Sequence, residues 1–383
     1  MSYRRCLDVG DFRRAARRAL PSAIFGYLDG GADDEWSLRD STAAFEKYAL
    51  MPEYLRDISS IDTKATILGV EVAAPVILSP TGIPRLFHHD RDTGVAKPAG
   101  EAGLLYTLST LGTASIEEIA AVNSGPKMFQ IYIHKDRGLT SDLVARCKAA
   151  GYAALCLTVD AAVAGNRQRD LKSGFVMPPR LTLKSFASFA MHPGWTANLL
   201  LHPGFALANV SGERAGMDRR PLGVIEYVNT QFDRTVTWDD AERLVREWGG
   251  PFAIKGLQSV HDARRAADIG ATAIMISNHG GRQLDGAPAP IDCVRPIRDA
   301  VGDSIELIVD GGVRRGAHVL KALALGADAV SFGRPQLYAL AAGGEGGVRR
   351  FLQLFLNELR RGLALIGCAR IGDVGERHVM MRS

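Results

Sequence analysis

Eight short apolar runs, most of them separated by longer amphipathic stretches, constrain this chain more than any other feature. The runs fall at 75–79, 104–109, 127–133, 153–159, 251–255, 273–277, 306–310 and 329–332. Helix-period patterns lie at about 93–102, 116–121, 139–150, 239–248, 260–269, 291–300 and 316–325. Short continuous apolar runs are what parallel strands covered on both faces require. Strand-helix alternation repeated eight times predicts a (β/α)8 TIM barrel with right-handed crossovers, preceded by an N-terminal helical segment. A doubly wound sheet is the alternative, because periodicity alone does not show closure.

The rhythm breaks once. About ninety residues separate Val159 from Pro251, far more than one crossover needs. The expected organisation is therefore one domain over 1–383 with an insertion at about 170–237 after strand four. From Ser185 to Gly212 this insertion carries no Asp, Glu, Lys or Arg, but has Phe186, Phe189, Met191, Trp195, Leu199, Leu200, Leu201, Phe205, Leu207 and Val210. Pro193 and Pro203 exclude one straight spanning helix. The stretch is expected either to form a lid or subunit contact, or to dip into a membrane interface with Trp195 at the lipid boundary.

Composition narrows the function classes. The chain is 46% hydrophobic and 23% charged, which suits a soluble globular protein. A net charge of only +4, with dispersed basic residues, argues against nucleic-acid binding. Five scattered cysteines without CxxC spacing point to a reducing compartment, not to disulfides or a zinc site. The first twenty residues lack an apolar signal core, so no secretion signal is expected.

Polar residues cluster just after the strands, where a barrel would gather them on one face. The richest cluster is Ser277-Asn278-His279-Gly280-Gly281-Arg282-Gln283-Leu284-Asp285. His279 can take a proton near neutral pH, and Arg282 can grip a carboxylate with two parallel hydrogen bonds. Gly280 and Gly281 let the backbone aim both side chains into one pocket. A proton acceptor beside an anion clamp suits oxidation of a 2-hydroxy acid. After strands seven and eight come Asp310-Gly311-Gly312-Val313-Arg314 and Gly333-Arg334-Pro335. Such loops bind phosphate through backbone N–H groups and helix N-termini. No strand is followed by GxGxxG in a dinucleotide-binding context, so a mononucleotide is favoured over a nicotinamide cofactor.

The His279 string closely resembles the signature of the FMN-dependent L-2-hydroxy acid dehydrogenases and oxidases, and the resemblance covers nearly the whole chain. It implies FMN as cofactor. Pro80, Thr81, Gly82, Ser109, Gln130, Thr158 and Ser277 match contacts to the flavin ring or ribityl chain. Lys255 matches the lysine beside flavin N1 and O2, where a cation stabilises the reduced ring. Gly311, Arg314, Gly333 and Arg334 match the phosphate cradle, and Asp310 and Gly312 are expected to bind the cofactor with them. The catalytic set implied is His279 as base, Asp160 to orient it, Lys255 and Tyr132. Tyr27, Tyr132, Arg167 and Arg282 would hold the substrate. Hydride would reach flavin N5 as His279 takes the hydroxyl proton, or the α-proton would leave first.

Two departures bear on the substrate. Leu111 stands where glycolate oxidases carry a large aromatic residue, and Asn166-Arg167 replaces paired arginines. The insertion, with His192-Pro193-Gly194-Trp195, is similar to the bacterial membrane-associated lactate and mandelate dehydrogenases. The resemblance thus implies oxidation of L-lactate to pyruvate, with electrons passed to membrane quinone or a cytochrome. It also implies a homotetramer, peripheral on the inner face of the cytoplasmic membrane. The alternatives are an L-mandelate dehydrogenase, an oxygen-using oxidase, or a phosphate-binding barrel without catalysis. His88-His89-Asp90 is expected to be a solvated loop and not a metal site, because adjacent histidines do not easily face one ion.

Overall fold

In a computed structural model of the chain, the eight runs close into one parallel barrel. The structure describes residues 2–173, 183–202, 206–210 and 233–382. The strands are β1 (Val76–Leu78), β2 (Leu105–Ser109), β3 (Lys127–Ile131), β4 (Ala154–Thr158), β5 (Phe252–Leu257), β6 (Ala273–Ser277), β7 (Glu306–Asp310) and β8 (Ala329–Phe332). Each pairs with its neighbours in chain order. Closure comes from β8 on β1, in the register Val330↔Val76, Ser331↔Ile77 and Phe332↔Leu78. This excludes the doubly wound alternative.

Alternation along the strands divides two cores. One set of side chains, including Ile77, Met128, Cys156, Met275 and Ile308, fills the barrel. The other set faces the surrounding helices. A hairpin of Ala65–Ile67 and Val70–Val72 packs Ile67, Leu68 and Val72 against the inner set. The Leu68 N–H donates to the Glu306 carboxylate at 2.9 Å, so the hairpin plugs the end where the strands begin. The opposite end is left to the loops that follow the strands, the face on which such barrels do chemistry.

Three N-terminal helices come first: α1 (Val9–Ala19), α2 (Ser22–Asp29) and α3 (Trp36–Ala43). The crossovers are α4 (Thr93–Glu101), α5 (Ile116–Val122) and α6 (Arg137–Ala149). The insertion contributes α7 (Gln168–Ser173), α8 (Leu183–Ala190) and α9 (Pro193–Leu201). Then follow α10 (Trp238–Trp248), α11 (Val260–Asp268), α12 (Val294–Val301), α13 (Gly316–Ala324) and α14 (Arg334–Leu365). The helix expected at 291–300 starts later, after a 3-10 turn at Pro290–Cys293. Pro296 explains this: it lacks an N–H and is tolerated only in a first turn, so the helix begins just before it. α14 kinks at Gly343 and Gly344.

Trp195 of the insertion is half-buried. Its Nε1 donates to the Leu86 carbonyl at 2.8 Å, and its ring stacks on Phe189 at 5.4 Å. Leu207 and Val210 are buried against Ile83 and Leu111. These residues form a cover on the loops after β1 and β2. Met191, Leu200 and Leu201 are exposed. Pro203 and Phe205, with the 174–182 and 211–232 parts of the insertion, lie outside the described residues. Among the described residues, no helix is long and apolar enough to cross a membrane. All five cysteines are buried and free.

Candidate active site

The turn after β6 is built for one purpose, to reverse direction within three residues. His279, Gly280 and Gly281 take φ of 56°, 65° and 70°. Glycine adopts this region freely, whereas a side-chain residue is strained there by ~1–3 kcal/mol. His279 bears that strain between Ser277 Oγ, which accepts its N–H at 3.0 Å, and two glycines. Asn278 Oδ1 accepts the Gly281 N–H at 3.1 Å. A Cβ on Gly281 would lie 2.4 Å from the Leu38 backbone nitrogen, so only glycine passes there.

The turn delivers the His279 ring to the end of β4. Its Nδ1 lies 2.8 Å from Asp160 Oδ1. Burial alone would push the Asp160 carboxyl up, but His279 and Lys255 outweigh it and hold the group below the usual carboxylate range. An ionised acceptor at Nδ1 assigns the ring proton to that nitrogen and leaves the Nε2 lone pair to accept another. The Asp160 loop is fixed by Gln283, whose Nε2 donates to the Asp160 and Val163 carbonyls at 2.7 and 2.8 Å. Behind it, a Cβ on Gly256 would approach the Asp160 Cβ to 2.7 Å.

Arg282 leaves the same turn and lies over Tyr27, with Cζ 4.8 Å from the ring centre. Arg167 reaches the same ring at 5.7 Å. One N–H nitrogen of Arg282 holds the Tyr27 carbonyl at 2.6 Å. Burial first, then repulsion by Arg167, pushes Arg282 down to about 10. Two guanidinium groups on one tyrosine form a site whose strain a carboxylate would relieve. Tyr132 follows β3, and burial with Asp160 pushes its phenol up.

The residues expected to hold FMN line the same barrel end. Lys255 Nζ donates to Asp310 Oδ2 at 2.5 Å and to Ser277 Oγ at 2.7 Å. Its ion partner is thus Asp310, not Asp160, and the Asp310 carboxylate also accepts from Ser79 and Ser277. Ser109 Oγ donates to Gln130 Oε1 at 2.8 Å. Gln130 Nε2 and Thr158 Oγ1 are buried with no hydrogen-bond partner. Buried polar atoms left in that condition point to a polar ligand edge, and a flavin ring fits these donors. Gly333 lies where a Cβ would come 3.3 Å from Thr81 Cγ2, which joins the loop after β8 to Pro80-Thr81-Gly82. Gly311 and Gly312 take φ of 134° and 75°, and α13 and α14 start close behind the two glycine loops.

Arg334 opens α14, directly behind the glycine loop after β8. Its guanidinium donates to the carbonyls of Gly280, Leu28 and Gly30 at 2.8, 3.2 and 2.7 Å. It ties the His279 turn to the N-terminal segment. Arg314 is half-buried and donates to the adjacent Val313 carbonyl at 2.8 Å. The trio His88-His89-Asp90 is no solvated loop either: all three side chains are half-buried, and their ligand atoms lie within 4.8 Å of one another.

Sequence reasoning passed over Gln283 and Asp285, although both stand in the quoted string. Asp285 accepts the N–H groups of Asp34, Trp36 and Ser37 at 3.1, 3.2 and 2.8 Å and so anchors α3. Their place beside His279 was the available signal.

Comparison with known proteins agrees with this geometry. The sequence profile of FMN-dependent dehydrogenase matches residues 16–381. An L-lactate oxidase of Nostoc sp. is 41% identical over 372 residues, covering 96% of each chain. Glycolate oxidase 1 of Oryza sativa subsp. indica is 38% identical, covering 97% of this chain and 95% of the relative. The crystal structure of the monotopic membrane protein (S)-mandelate dehydrogenase superposes with a TM-score of 0.94 at 33% identity, covering 99% of this chain and 100% of that one.

Proposed function

The chain belongs to the FMN-dependent dehydrogenase family, and on that premise we propose that it oxidises L-lactate, or a close L-2-hydroxy acid, to the 2-oxo acid. Electrons would pass to a membrane quinone or a cytochrome. The observation that carries this reading is the His279–Asp160 pair set beside the Arg282–Arg167 pair.

The roles follow from the chemistry of each group. Arg282 and Arg167 bind the carboxylate, and Tyr27 and Tyr132 orient the substrate beside it. His279 Nε2 removes the hydroxyl proton, and Asp160 stabilises the imidazolium that results. Lys255 places a buried positive charge at the barrel mouth. Gln130, Thr158, Ser109, Ser277, Pro80, Thr81 and Gly82 hold the flavin ring and ribityl chain, and the loops after β7 and β8 hold its phosphate. Bound FMN supplies the two-electron acceptor. Carboxylate, hydroxyl and Cα–H are fixed at three points, which makes the site L-specific.

Anaerobic mixing with L-lactate tests the proposal. The yellow protein is expected to bleach, D-lactate is expected to leave it coloured, and denaturation is expected to release FMN of the correct mass. Equal bleaching by both enantiomers would overturn the assignment of the site.

A second reading, a larger apolar substrate such as mandelate, has one observation in its favour. Leu111, Ile83, Leu207 and Val210 pack as an apolar cluster beside Gly82. Relative kcat/KM for L-lactate and L-mandelate decides between the two. Exposed Met191, Leu200 and Leu201 support peripheral attachment to the inner face of the cytoplasmic membrane. A homotetramer is the proposed assembly.

A further inference from the structure

We propose that His88, His89 and Asp90 form a binding site for one divalent transition metal of the zinc class, separate from the flavin and substrate residues. The loop that carries them follows β1 and the 3-10 turn Pro84–Leu86. Two neighbouring residues reach one carboxylate because they use different ring atoms. His88 presents Nδ1, 3.4 Å from Asp90 Oδ2, and His89 presents Nε2, 3.1 Å from Asp90 Oδ1. The two rings stack at 4.4 Å.

Two features make this more than an accidental cluster. His88 Nδ1 already accepts the Asp90 N–H at 3.2 Å, and Asp90 Oδ2 already accepts the Glu345 N–H at 2.8 Å. A cation between the His88 nitrogen and the carboxylate would take the Nδ1 lone pair in exchange for the Asp90 N–H. Asn198 Nδ2 of α9 lies 2.5 Å from His89 Nδ1, which accepts from it in the metal-free protein. With its amide oxygen turned to that nitrogen, it accepts the Nδ1–H and leaves Nε2 free for metal, as outer partners of ligating histidines do.

The kink of α14 is shaped around the same site. A Cβ at Gly344 would meet Asp90 Oδ2 at 2.2 Å and His88 Cε1 at 2.6 Å, and Gly344 has a φ of 57°. Two imidazoles and one carboxylate suit zinc, nickel or copper and not calcium or magnesium. A filled tetrahedral site has ligand atoms roughly 3.3 Å apart, given bonds of ~2.0–2.1 Å, so a small closure of the set suffices, with water in the fourth position.

The test is titration of tag-free, chelator-washed flavoprotein with Zn(II) by calorimetry, with bound metal counted after gel filtration. One zinc per chain is expected, and X-ray absorption should show nitrogen and oxygen neighbours only. The His88→Ala/His89→Ala double variant and the milder His89→Gln should keep flavin and dye-coupled turnover but bind zinc more weakly, by roughly 10–100-fold or more. Asn198→Ala should weaken it without removing it. No stoichiometric zinc on the wild type, or undiminished binding by the double variant, would overturn the proposal.

Discussion

Lys255 Nζ lies 2.5 Å from Asp310 Oδ2, with both side chains almost wholly removed from water. Burial opposes both charges, yet Asp310 and Asp160 raise Lys255, and Lys255 with Ser79 and Ser277 lowers Asp310. The pair ties the ends of β5 and β7 and fixes a cation at the floor of the site.

Removing one partner leaves the other buried and uncompensated. Lys255→Met is expected to cost ~3–5 kcal/mol of stability and to loosen the flavin. Lys255→Met/Asp310→Asn should recover much of the stability but not the turnover. Chemical denaturation of both proteins measures this, and additive losses in the double variant would contradict the pairing.

His279→Ala should retain its yellow colour and lose turnover by roughly 10²–10⁴-fold, the usual contribution of a general base. Asp160→Ala should lose less, because the base remains but is no longer oriented. Rapid-mixing rates of bleaching by L-lactate read both, and near-normal bleaching in His279→Ala would show that the base lies elsewhere.

Arg282→Lys should behave as a severe substitution. A lysine cannot keep the planar grip on a carboxylate, the stack on Tyr27 and the bonds to the Tyr27 and Gly30 carbonyls together. Raised KM and reduced kcat are both expected, and unchanged kinetics would remove Arg282 from the substrate site.

Asp92 gives a pH dependence of the fold. Its Oδ2 accepts from the Thr113 N–H and Oγ1 at 2.7 Å each and from the Ala114 N–H at 3.0 Å, but burial outweighs these bonds and pushes the carboxyl up to about 6. The folded state then binds the proton more readily than the unfolded chain. Stability contributed by Asp92 is therefore present below about pH 4 and lost as pH rises to about 6, by at most roughly 3 kcal/mol. The Tm difference between Asp92→Asn and wild type should grow in favour of the variant across that window and then level off. A difference flat in pH would sink this account.

How much of this was legible in the sequence depended on the range of the physics involved. Strands β1 to β8 could be read because a parallel strand covered on both faces must be continuously apolar, and the polar residue after each marks the site face. Lys255, His279 and Asp160 were legible for that reason. Arg334 was not: its partners, the carbonyls of Leu28, Gly30 and Gly280, are distant in sequence and carry no side-chain signal. Trp195 read as interfacial because its stretch lacks charge, and its bond to the Leu86 carbonyl and stack on Phe189 have no signal in the local sequence. The kink at Gly344 depends on Asp90 passing beneath, which no local pattern encodes.

The exposed ends of the insertion carry the last prediction. Met191, Leu200 and Leu201 stand 72%, 72% and 75% exposed, while the neighbouring Trp195 is half-buried and bonded to the Leu86 carbonyl. Apolar surface in water costs ~25 cal/mol per Å², so three such side chains favour transfer to a lipid boundary. Leu200→Asp/Leu201→Asp should therefore release the protein from anionic vesicles and slow reduction of vesicle-borne quinone, with dye-coupled turnover unchanged. Trp195→Phe should act differently, lowering Tm through the lost hydrogen bond, about 1 kcal/mol, without releasing the protein. Vesicle sedimentation separates the two. Equal binding by wild type and the aspartate variant, or no binding by either, would assign the insertion to covering the barrel mouth alone.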